Sequence, residues 1–123
     1  MGYDFNNQTP IYLQILECIK TNVITGVYKP NQKLPSVREF SANFCVNPNT
    51  IQKALQELED LGLIYTERTS GKFVTGDISV INNAKKDTIR LLTTNFLQEA
   101  SKLGISQEEI IKIIKGEDIL WTF

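Results

Sequence analysis

The chain has 123 residues, 41% of them apolar and 22% charged, with a net charge of −1 and no histidine. That length holds one domain, or one small domain with an appendage, and leaves little room for a deep catalytic cleft. No window approaches the roughly eighteen apolar residues that a membrane span needs, and a pI near 5.4 gives no overall attraction to phosphate.

The opening MGYDFNNQTP has neither a basic region nor an apolar core, so no secretory signal is expected and a cytoplasmic location is. Thr9 and Pro10 read as the N-cap and first position of a helix. Ile11, Ile15, Ile19 and Val23 or Ile24 continue its apolar face as far as Gly26, and Tyr12 and Leu13 broaden it. All of these are expected in the core. Val27 to Lys33 is a polar connection in which Lys29 and Lys33 are expected to be solvated. Cys18 and Cys45 lack metal-ligand spacing and read as two buried free thiols.

Two short helices with a tight turn follow between Leu34 and Leu63. Ser36 with Glu39 three residues on is a capping-box pattern, so a helix starts there, with Val37, Phe40 and Phe44 at helical spacing. The pattern stops at Asn43 to Val46. Asn47 is a favoured N-cap and Pro48 suits the first helical position, where its missing N–H is not needed. This second helix is expected to run to Leu61, with Gly62 as its stop. Ile51, Ala54, Leu55, Leu58 and Leu61 form its core stripe, and Asn49, Gln52, Lys53 and Gln56 line the opposite face. Leu63 to Glu67 and Phe73 to Val74 are strand-like runs around the turn Arg68-Thr69-Ser70-Gly71. Two helices, a tight turn and a hairpin make a winged helix-turn-helix pattern, whose second helix would lie in a DNA major groove.

These residues resemble the GntR family of bacterial transcription regulators. The similarity runs through Pro10-Ile11-Tyr12, Gln14-Ile15, Gly26, the stretch LPSVREF from Leu34 to Phe40, VNPNT from Val46 to Thr50, Lys53-Ala54, Leu55 to Ile64 and Phe73-Val74. It implies a DNA-binding set of Ser36, Arg38, Asn47, Pro48, Asn49, Thr50, Gln52, Lys53, Arg68, Gly71 and Lys72. The residue types suit that role. A guanidinium such as that of Arg38 binds guanine O6 and N7 or a phosphate, and an amide such as that of Gln52 binds adenine N6 and N7. The start of a helix at Asn47 to Thr50 favours an anion. The chain departs from the family pattern at Asn31 and Thr69, where glycine is usual, and at Lys72, where threonine is usual. Asn accepts left-handed backbone, whereas Thr does so poorly, so a left-handed turn at Thr69 would be strained.

Residues 33 to 75 carry Lys33, Arg38, Lys53, Arg68 and Lys72 against Glu39, Glu57, Glu59, Asp60 and Glu67, so even this segment is neutral. Glu39 is used by the cap, and Glu57, Glu59 and Asp60 sit at the far end of the second helix. The expectation is a locally positive face with a shallow salt dependence.

Beyond Gly76-Asp77 the composition shifts. Ile89, Leu92, Phe96, Ala100 and Leu103 recur every three to four residues, predicting a long amphipathic helix from Ile78 or Lys85 to Gly104. Ser106 and Glu109 repeat the capping box and open a short helix with Ile110, Ile111, Ile113 and Ile114, ending at Gly116. The tail Ile119, Leu120, Trp121 and Phe123 is apolar. Two helices cannot bury this surface alone. A second copy of the chain would cover it through Ile89, Leu92, Phe96, Ala100, Leu103, Ile110 and Ile114, and the alternative is packing back onto the chain's own winged helix.

The expected fold is mainly α with a small β-hairpin wing: a winged helix-turn-helix domain over residues 1–76 and a C-terminal α-helical dimerisation hairpin over 77–123. The short tail resembles the YtrA-type subgroup of GntR regulators, which implies a repressor bound as a homodimer to a pseudo-palindromic operator and an association with transporter operons. A small-molecule effector is a further partner, of unidentified chemistry. The competing function is a winged-helix module that docks on protein. No cofactor or metal is expected. Without histidine, a nucleophile beside a base, a metal-ligand cluster or a phosphate-cradling loop, an enzyme is not expected either.

Overall fold

The computed structural model describes residues 4–117. The elements in chain order are α1 (Ile11–Ile24), α2 (Val37–Phe44), α3 (Pro48–Asp60), β1 (Ile64–Glu67), β2 (Gly71–Val74), α4 (Ile78–Ser101) and α5 (Gln107–Ile114). They divide into two compact units, one ending at Lys85 and the other beginning at Lys86. The apolar tail singled out from sequence lies outside the described residues.

In the first unit the start of α2 and the end of α3 follow their local signals. The Ser36 hydroxyl accepts from the Glu39 N–H at 3.1 Å, and the Glu39 carboxylate accepts from the Ser36 N–H at 3.0 Å, which closes the capping box of α2. The end of α3 is a Schellman motif: the Gly62 N–H donates to the Glu59 carbonyl at 2.9 Å and the Leu63 N–H to the Leu58 carbonyl at 3.1 Å. Gly62 sits at φ +78, where a side chain would be strained.

That motif explains a correction. Leu61, expected on the core stripe of α3, is 55% exposed, because it caps the helix just before the chain reverses and Leu63 takes the core position instead. The rest of the stripe, Ile51, Ala54, Leu55 and Leu58, is at most 1% exposed. Burying a side chain of this kind stabilises by about 1.5–3 kcal/mol for each larger residue. These side chains share a core with Ile15, Leu16, Ile19 and Val23 of α1, Phe40 and Phe44 of α2, and Leu63, Ile64 and Val74 of the hairpin. Ile81, near the start of α4, joins the same core.

Three further expectations change. Pro10, with ψ 140, is itself the N-cap of α1 and makes no side-chain cap bond, so Thr9 is not the cap. Gln14 reaches back instead, its amide donating to the Thr9 carbonyl at 2.8 Å and the Asn6 carbonyl at 3.0 Å. Ile11 is 44% exposed, in the first turn of α1 at the edge of an open depression that it shares with Asn49, Thr50 and Lys53 of α3. Both cysteines are free, but only Cys18 is even half-buried, where burial pushes its thiol pKa up; Cys45 is exposed in the turn after α2.

The hairpin pairs Ile64 with Val74, Tyr65 with Phe73, Thr66 with Lys72 and Glu67 with Gly71. A third strand is reduced to one antiparallel bridge between Lys33 and Phe73, flanked by the Leu34 N–H to the Lys72 carbonyl at 2.8 Å and the Val74 N–H to the Gln32 carbonyl at 2.9 Å. Asn31 enters this bridge with φ 65, the left-handed backbone that Asn tolerates. Thr69 is spared that conformation, since the positive φ of the wing turn falls on Gly71.

In the second unit, the Ser106 hydroxyl accepts from the Glu109 N–H at 3.2 Å at the start of α5. Ile89, Leu92, Phe96, Leu103 and Ile114 are all exposed, Leu103 to 81%. Ala100 is half-buried, and Ile110 is buried within the chain, so Ile110 is not free to contact a second copy.

Candidate nucleic-acid interface

The turn Cys45-Val46-Asn47 joins α2 to α3 and places the start of α3 at the surface. Asn47 is the cap of α3, its side-chain oxygen accepting from the Asn49 N–H at 2.8 Å. Pro48 follows at the first helical position. Asn49, Gln52 and Lys53 are exposed and Thr50 is half-buried, so the N-terminal half of α3 presents amides, a hydroxyl and a cation to solvent. Gln56, further along, is occupied: its amide donates to the Asp60 carboxylate at 3.0 Å.

The predicted residues gather around two open depressions in the first unit. One, of about 370 Å³, is bounded by Ser36 at the cap of α2 and by Arg68, Gly71 and Lys72 of the wing, with Lys33 beside them. The other, of about 430 Å³, is bounded by Asn49, Thr50 and Lys53 of α3 and by Ile11 and Tyr12 of α1. Arg38, Asn47, Pro48 and Gln52 are exposed and line neither.

The cations differ in how free they are. Among the described residues Arg38, Lys53 and Arg68 make no ion pair. Lys72 does: its ammonium lies 3.6 Å from the Glu59 carboxylate and donates to the Thr66 hydroxyl at 2.8 Å, while that hydroxyl donates to Glu59. The pair neutralises one wing cation and ties the hairpin to the C-terminal end of α3. Lys53 instead sits over the Tyr12 ring, 3.8 Å from its centroid. At the start of α2, hydrogen bonds from the Ser36 backbone and side chain, with Lys33 nearby, hold the Glu39 carboxyl below its usual range. Glu39 is therefore ionised at neutral pH and engaged with its own helix.

Sequence reasoning missed two of these arrangements. Tyr12 reads as one more apolar contact of α1, and the Glu59, Thr66 and Lys72 cluster brings together residues of a helix and both strands. No periodicity within a helix or strand reports either, because each joins side chains from different elements. Among the described residues no group of three or more His, Cys, Asp or Glu side chains could hold a metal, and no helix is long and apolar enough to cross a membrane.

A tight turn between two helices, the exposed polar start of the second and a hairpin wing beside them define a winged helix-turn-helix DNA-binding protein. The model of the bacterial regulatory proteins of the gntR family matches residues 11–74, and the chain belongs to that family of DNA-binding transcription regulators. The HTH-type transcriptional repressor YtrA of Bacillus subtilis is 34% identical over 113 residues, spanning 91% of this chain and 87% of the repressor. A GntR family transcriptional regulator from Listeria monocytogenes superposes with a TM-score of 0.86 at 45% identity, over 93% of this chain and all of the other. The DNA-binding domain of AraR in complex with operator ORE1 superposes with a TM-score of 0.54 at 33% identity, over 61% of this chain and 93% of that domain.

Proposed function

We propose that the protein is a homodimeric repressor that occludes a promoter by binding a pseudo-palindromic operator, with α3 of each subunit in a major groove. The observation that carries this reading is the exposed N-terminal half of α3, with unpaired cations at Lys53 and Arg38 and a third at Arg68 of the wing turn. In it, Asn47, Pro48, Asn49 and Thr50 meet phosphates at the helix start, Arg38 and Gln52 reach base edges, and Ser36, Arg68, Gly71 and Lys72 flank the backbone. The operator-bound AraR domain supports the mode of binding, and the name of the YtrA repressor supports the sign of regulation. The YtrA-type resemblance extends the proposal to a transporter operon as the target.

Dimerisation rests on the exposed face of α4. Ile89, Leu92 and Phe96 recur along α4 at helical spacing and, with Leu103 just beyond its end, are each more than half exposed, the pattern of an apolar face that a partner covers. A twofold partner covers such a face and sets two recognition helices about one DNA turn apart, roughly 34–36 Å.

The test is titration of a duplex with the purified protein across a salt series, with the mass of the complex measured by sedimentation. Two chains should bind each duplex. Lys53 and Arg68, the backbone-facing cations that make no ion pair among the described residues, at −0.9 each set a slope of log K against log salt of about −2 per subunit. A complex with one chain per duplex would rule out the dimer, and binding indifferent to salt would rule out the phosphate contacts.

A further inference from the structure

Lys53 and Lys72 are both candidate DNA contacts, and they are held in opposite ways. Lys72 faces a carboxylate, which cancels its charge, whereas Lys53 lies on the face of an aromatic ring, 3.8 Å from the Tyr12 centroid. A ring quadrupole attracts an ammonium without neutralising it. The flexible Lys53 stem is drawn across to α1 at the rim of the depression that Ile11, Tyr12, Asn49 and Thr50 share with it. Lys53 is exposed, in the N-terminal half of α3. A lysine held sideways in this manner, with its full charge, suits the negative backbone flanking the groove better than a base edge.

We propose that Tyr12 is a positioning residue for DNA binding, and that its ring presents the Lys53 ammonium to a backbone phosphate alongside α3, so that Lys53 contributes affinity independent of sequence. The proposal rests on the DNA-binding reading above and adds to it a residue of α1 and a division of labour: Lys53 for phosphate, Gln52 and Arg38 for bases.

The experiment is a double-mutant cycle on the full chain, using a short mixed-sequence duplex, fluorescence anisotropy at several salt concentrations and a thermal melt of each variant. Lys53→Gln should weaken binding and reduce the magnitude of the salt slope by about 1 per subunit. Tyr12→Leu should weaken it by about threefold, the size expected of an exposed cation–π contact. Tyr12→Phe keeps the ring and should bind like the wild type. In the Lys53→Gln background Tyr12→Leu should cost nothing more. A Tyr12→Leu loss that is equal in both backgrounds would overturn the proposal, as would a loss in Tyr12→Phe matching that in Tyr12→Leu. So would a Lys53→Gln variant with an unaltered slope, a result that needs no Tyr12 variant to be folded. In each of these cases the wild type still binds DNA. Failure of the wild type to bind any duplex would instead remove the DNA-binding reading itself.

Discussion

Cys45 sets the turn on which the helix-turn-helix depends, and it does so from the left-handed region, at φ 56 and ψ 48. Its N–H donates to the Ser41 carbonyl, and the next residue, Val46, donates to the same carbonyl at 3.1 Å, so the conformation is held by backbone bonds. Left-handed backbone costs a residue with a Cβ roughly 1–2 kcal/mol. Cys45→Gly removes that cost but gives the unfolded chain more freedom, a counter-effect of about 0.4–1 kcal/mol. The side chain contributes little in return, since the thiol is exposed and lies 3.6 Å from the Ala42 carbonyl. The net expectation is a gain of about 0.5–1 kcal/mol, or several degrees at 4–8 °C per kcal/mol for a unit of this size. Cys45→Val, which adds a β-branch at the same φ, should lower the melting temperature. Thermal melts followed by circular dichroism measure both. A destabilised Cys45→Gly together with a tolerated Cys45→Val would refute the strain at this turn.

Other consequences follow from the same geometry. Glu59→Gln should release Lys72 to DNA, tightening binding to mixed-sequence duplex at low salt and steepening the salt slope by up to about 1 per subunit; anisotropy titration checks it. Glu39 and Asp77 are both held below their usual range, Glu39 by Ser36 and Asp77 by the side chain and backbone of Ser79. Groups with depressed folded values contribute stability that is present above the unfolded value and lost as the pH falls through the folded one. The melting temperature should therefore decline on acidification below the usual carboxylate range, and Glu39→Gln with Asp77→Asn should flatten part of that decline. Leu92→Glu with Phe96→Glu on the exposed face of α4 should yield a folded monomer by sedimentation, with affinity for an inverted repeat reduced about a hundredfold or more through lost bivalency.

The legible parts of the fold are those encoded over a few consecutive residues. Ser36 with Glu39, Asn47 with Pro48, Gly62, and Ser106 with Glu109 each act within one turn of chain, and each helix boundary they mark lies within a residue or so of its expected place. A local rule loses its force beyond the turn of chain that it describes. The α3 stripe does not continue to Leu61, because the Schellman turn ends the helical periodicity there. Thr9 looked like a cap, but the extended Pro10 takes that place and Gln14 ties the preceding carbonyls. The exposure of Cys45 and its left-handed backbone are not visible in a residue type usually found buried.

At the candidate interface, residue identity and helix face were readable, but the state of each cation was not. Lys53 and Lys72 look alike in sequence. Only the fold shows one resting on Tyr12 of α1 and the other paired with Glu59 of α3, because each pairing is made between different elements and not within one.

The most direct test of a dimeric operator-binding regulator is selection of duplexes from a random pool by the purified protein at near-physiological salt, followed by sequencing. The expected outcome is an enriched inverted repeat with half-sites about one helical turn apart, roughly 10 base pairs. The enrichment should be lost in Arg38→Ala, and the requirement for two half-sites should be lost in the Leu92→Glu, Phe96→Glu variant. No enrichment would contradict sequence-specific binding, and a single unrepeated site bound by one chain would contradict the dimer.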